Sequence, residues 1–157
     1  MRVTKSLVKD DDSTRLASKI FNEVMTEFSL PLRYSAMEFH VRDSTSFFSS
    51  GDTALICMDY DNIFVREKDE RGIKALLTRQ LFKAALGTSD DDQVNAEMTK
   101  NGHSDDLFYI YYSQIASSSK PDDIEECAPA LRAFRNRDDM DFMRAAVEAA
   151  KRRARCK

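Results

Sequence analysis

The spacing of hydrophobic positions changes period twice along the chain. In the N-terminal stretch, Leu16, Ile20, Phe21, Val24, Met25 and Phe28 fall at helical spacing, so one wide apolar face predicts a helix. The acids and Ser13 ahead of that face supply cap chemistry, and Pro31 stops the helix. Over residues 32–41 the rhythm alternates, with Met37, Phe39 and Val41 on one side and Glu38, His40 and Arg42 on the other. That predicts a half-buried strand. Ser49-Ser50-Gly51-Asp52 marks a turn, and residues 54–58 form a continuous apolar run suited to a central strand. Residues 63–65 predict one further short strand, behind the turn chemistry of Asp61-Asn62.

Helical spacing returns after Lys68. Ile73, Leu76, Leu77, Leu81, Ala84 and Ala85 line one side, Asp69 and Glu70 suit the positive end of the dipole, and Gly87 supplies a C-cap. A short helix follows from Asp90-Asp91-Asp92 through Met98. The apolar "LFYIYYSQIA" comes next behind Ser104-Asp105-Asp106, and two more helices are expected near 122–133 and 138–154. The order is an N-terminal helix, about three strands in a small early sheet, then four to five helices. Strands gathered early and helices late predict an α+β fold and not alternating βαβ units. The 157 residues are expected to form a single domain, since no Pro/Gly-rich linker divides them. Residues 1–12 are expected to be a flexible start and residues 151–157 a basic tail.

Charge adds one contrast. The formal net charge is −3 and the pI about 5.5, which gives no global reason to expect nucleic-acid binding. From Arg132 onward, however, nine Lys/Arg stand against four Asp/Glu. Lys151, Arg152, Arg153 and Arg155 crowd the end of the last expected helix, where cations suit the dipole and could also meet phosphates. Cys57, Cys127 and Cys156 are odd in number and far apart, which argues against a disulfide framework or a thiolate zinc site. No apolar stretch reaches the length of a signal or a membrane span. The expectation is a soluble cytoplasmic protein with no membrane contact.

Zinc catalysis on a helix needs two imidazoles at i and i+4, and a carboxylate beside the first to take a proton from bound water. The run "TALICMDYDNIFV" followed by "IKALLTRQLFKAALG" resembles the zincin-type metallopeptidases, in which an edge strand precedes the active helix. The resemblance covers about residues 13–117 and rests on element order and helix shape. It implies a zincin-like fold and a further acidic ligand from a helix downstream. The five positions that would carry His-Glu-x-x-His read Arg79-Gln80-Leu81-Phe82-Lys83. Two cations repel Zn²⁺ and an amide cannot act as a base, so no catalytic or metal-binding residue is assigned and no cofactor is expected. Arg79 and Lys83 share one helix face and need an acid to answer them. Asp105 and Asp106 are the candidates, and with Arg79, Gln80 and Lys83 they form a salt-bridged plug in place of a metal pocket.

Other chemistry finds little support. His103 in "NGHSDD" reads as a loop or cap residue, and His40 as a solvated strand residue. Asp59-x-Asp61-Asn62 lacks the glycine and the bidentate glutamate of a calcium loop. Ser44, Ser46, Ser49 and Ser50 occur in no G-x-S-x-G setting, and no glycine cluster could hold a phosphate. Nothing local brings Cys57 to His40. In the tyrosine helix, Leu107, Phe108, Ile110, Tyr111 and Ile115 can fill a core face while Tyr109 and Tyr112 stay partly exposed. The flanking aspartates would repel phosphates, so a core or protein interface fits better than single-stranded nucleic acid. The expected role is non-enzymatic, a protein-interaction or regulatory module with a protein partner or a second copy. The alternative is nucleic-acid association through Lys151, Arg152, Arg153 and Arg155. A hydrolase on residues that no local motif assembles is a third.

Overall fold

A computed structural model describes residues 1–117. Four strands and five helices occur there: β1 (Arg2–Leu7), α1 (Asp12–Glu27), β2 (Ala36–Arg42), β3 (Ser46–Ser50), β4 (Thr53–Asp59), α2 (Ile63–Arg66), α3 (Glu70–Leu86), α4 (Asp91–Lys100) and α5 (Ser104–Ser117). The class is α+β. The helices expected near 122–133 and 138–154, and the basic tail, lie outside the described residues.

The strands form one mixed sheet in the order β1-β2-β4-β3. β1 and β4 run parallel to β2, and β3 runs antiparallel to β4. Alternation places Met37, Phe39 and Val41 of β2 in register with Ala54, Ile56 and Met58 of β4, all fully buried. α1 lies over this face. Its Phe21 stacks on Phe39, with ring centroids 4.3 Å apart and planes 3° from parallel. Burying two such rings contributes about 1.5–3 kcal/mol each. α3 packs against α1, and Phe28 meets Phe82 edge-on at 5.2 Å.

The chain divides into two compact units, Met1–Met98 and a second from Thr99. The first holds the whole sheet. In the described part of the second, Leu107 and Ile110 of α5 are buried, as their spacing predicts.

Three local expectations are corrected. Residues 2–7 are a strand and not a flexible start, so the order begins with β1, and β1–α1–β2 is one parallel crossover unit. Ser49 and Ser50 belong to β3, and the turn is tightened to Gly51-Asp52, with Gly51 in the left-handed region at φ 58°. The apolar residues 63–65 form α2 and not a strand, because Asn62 caps them, its side chain accepting the Phe64 N–H at 2.9 Å.

Candidate functional site

The site that the sequence singles out sits on α3. This helix starts where the Asp69 carboxylate accepts the Gly72 N–H, and it ends at Gly87 in the left-handed conformation. Between these caps ten of the seventeen residues are buried, so a polar residue on the buried side must find a partner or carry a cost.

Arg79 finds partners. Its Nη2 lies 2.6 Å from Asp91 Oδ1, and its Nε donates to Asn95 Oδ1 at 3.3 Å. Both residues belong to α4. The Arg79 side chain is 12% exposed and that of Asp91 73%, so the pair runs from a nearly buried cation out to water. Asp91 thus answers Arg79 from within the first unit, whereas Asp105 and Asp106, the candidates for this task in the sequence, belong to the second. The signal was legible as Asp90-Asp91-Asp92, but those residues read first as a helix start. Asp90 does serve that purpose, accepting the Gln93 N–H at 2.9 Å. In α5, Asp106 takes the His103 ring, Oδ2 to Nδ1 at 2.9 Å, and Asp105 sits exposed in the first turn.

Lys83 and Gln80 differ from Arg79. Among the described residues no carboxylate comes within 4 Å of the Lys83 amine. Burial pushes its pKa down, Arg79 pushes it further, and Asp91 partly opposes them. Gln80 is 2% exposed, and among the described residues neither end of its amide has a hydrogen-bond partner. Nearby, the Tyr34 hydroxyl donates to the Ala84 carbonyl at 2.9 Å, satisfying one group in the last turn of α3.

The structure also brings together His40 and Cys57, register partners on β2 and β4. Glu38 lies 3.9 Å from His40 Nε2. The thiol, however, is 1% exposed and makes no hydrogen bond to the imidazole, so a substrate could not reach it. A shallow cleft of about 230 Å³ lies beyond the carboxyl ends of β1 and β4, beside Lys9, Asp11, Thr14, Tyr60, Asp61 and Arg66. Its polar groups largely serve each other: Asp11 and Thr14 form the capping box of α1, and Lys9 sits 4.1 Å above the Tyr60 ring. Among the described residues no cluster of three or more His, Cys, Asp or Glu could hold a metal ion. No described helix is long and apolar enough to cross a membrane. Lys151, Arg152, Arg153 and Arg155 lie outside the described residues.

Neither a family model, nor a curated protein, nor a solved structure matches this chain.

Proposed function

We propose that this chain is a non-catalytic, zincin-like cytoplasmic domain that acts as a protein-interaction or regulatory module. The observation that carries the reading is the Arg79 guanidinium held between Asp91 and Asn95. The zincin resemblance calls for an imidazole at 79, a carboxylate at 80, a second imidazole at 83 and an acid from a downstream helix. Here a fixed cation stands at 79 and meets an acid from the downstream helix α4, so the positive charge a metal would bring is supplied by the chain itself. The antiparallel edge strand β3, paired to β4 ahead of α3, supports the same comparison. The interaction half of the reading is supported by the two outer strands of the sheet and by Phe48, 60% exposed on β3.

Elemental analysis of protein purified from zinc-supplemented growth is expected to find no stoichiometric zinc, and peptide hydrolysis is expected to be absent. One zinc per chain, displaced by a chelator together with an activity, would overturn the reading.

A further inference from the structure

Among the described residues β1 is an outer strand of the sheet. Arg2 donates its N–H to the Ser35 carbonyl at 2.9 Å, and Val8 donates to the Val41 carbonyl at 3.0 Å. Backbone groups alternate sides along a strand, so Arg2, Thr4, Ser6 and Val8 face β2. Val3, Lys5 and Leu7 therefore turn their N–H and C=O groups outward, on the side where the sheet has no further strand among the described residues. Residues 2–6 are exposed. The side chains add a charge: Arg2, Lys5 and Lys9 are the only ionisable side chains among residues 1–9. Among the described residues none of these cations forms an ion pair with a carboxylate, although Asp11 feels the charge of Lys9. Lys5 donates to the Ser18 carbonyl at 3.4 Å, and Lys9 lies over Tyr60. The aspartates that follow are engaged elsewhere, Asp10 and Asp12 by Arg15 and Asp11 by the cap of α1.

We propose that the outer edge of β1 binds an extended, acidic segment of another protein, which adds to the sheet as a further strand. The outward groups of Val3, Lys5 and Leu7 supply main-chain hydrogen bonds, and Arg2 and Lys5 select carboxylates. A second copy does not suit this edge: two β1 strands side by side would bring their cations onto one seam with no free acid to answer them. The proposal names the surface and the partner chemistry for the interaction role inferred above, and it rests on that reading.

The probe is a labelled Thr/Glu peptide of about ten residues, with Glu on both faces of the strand it would form, set against the same peptide with Lys for Glu. The full chain is expected to bind the acidic peptide, more weakly as salt rises, and to leave the basic one unbound. On binding, hydrogen exchange should slow at the Val3, Lys5 and Leu7 amides. V3P removes an outward N–H without removing a bond to β2, and is expected to weaken binding at least about tenfold. K5E, which leaves the backbone intact, should weaken it as well, with circular dichroism confirming that both variants fold. Cations that merely guard the edge would give no binding to a folded wild-type chain, and that result overturns the proposal. So would equal binding of the basic peptide, undiminished binding by both variants, or protection confined to other amides. Stoichiometric zinc would sink the proposed function without bearing on this edge, whereas these peptide results would sink the edge alone.

Discussion

Gln80 carries a cost that its apolar neighbours do not. Its amide is buried and among the described residues neither end is hydrogen-bonded; an orphaned buried polar group costs about 1–3 kcal/mol. Met has nearly the same shape without the polar atoms. Gln80→Met is therefore expected to stabilise the fold by about 1–2 kcal/mol, seen as a higher urea midpoint at unchanged slope. A lower midpoint would show that the amide is satisfied in solution. Lys83, one turn away, has a pH-dependent cost. Burial and then Arg79 hold its pKa below the ordinary 10.5. A base so depressed binds fewer protons folded than unfolded between those two values, so its cost is complete below the folded pKa and fades as pH rises toward 10.5. Lys83→Met should raise the melting temperature at pH 7, and the gain should shrink as the buffer becomes alkaline. Wild type and variant compared at each pH cancel the titration of other groups; a gain that stays constant would assign the effect to packing.

At the scale of elements, the close approach of α2 to α3 depends on Gly72. A Cβ at this position would strike the ring of Phe64. Gly to Ala inside a helix ordinarily gains about 1 kcal/mol, but here overpacking should reverse the sign and cost about 1–3 kcal/mol. Phe64→Leu in the same chain should recover part of that loss, which a double-mutant cycle in chemical denaturation would measure. A neutral Gly72→Ala would mean that the ring moves aside freely. The same corner shows where periodicity stops being informative. Ile63, Phe64 and Val65 are three apolar letters of strand-forming composition, too few to distinguish a strand from one helical turn. Asn62 decides between them by capping. The longer α1, α3 and α5 were legible because each repeats its apolar face over several turns. β2 was legible because one face is buried and the other is not.

For the whole molecule, what escaped the sequence is what depends on distant pairing. β1 reads "RVTKSL", and its exposed residues on both faces leave no burial pattern to betray a strand. Its existence follows only from β2 lying beside it. The partner of Arg79 escaped for a related reason. Several aspartates follow α3 in the chain, and only the packing of α4 selects Asp91 from among them. The candidate helix and its cations could be found in sequence, but the choice of Asp91 to answer Arg79 could not.

The crossover that carries β1 also sets a sequence in time. β3 and β4 meet across Gly51-Asp52, so their pairing closes a very short loop. Arg2 meets Ala36 only after all of α1 has been brought around. The entropy of that closure is incurred before any of the β1 register pairs forms. Until it closes, the flank of β2 that carries Phe39 has no strand beside it. As the chain emerges during synthesis, β1 is made before β2, β3 and β4 yet is among the last of them with a thermodynamic reason to take its place.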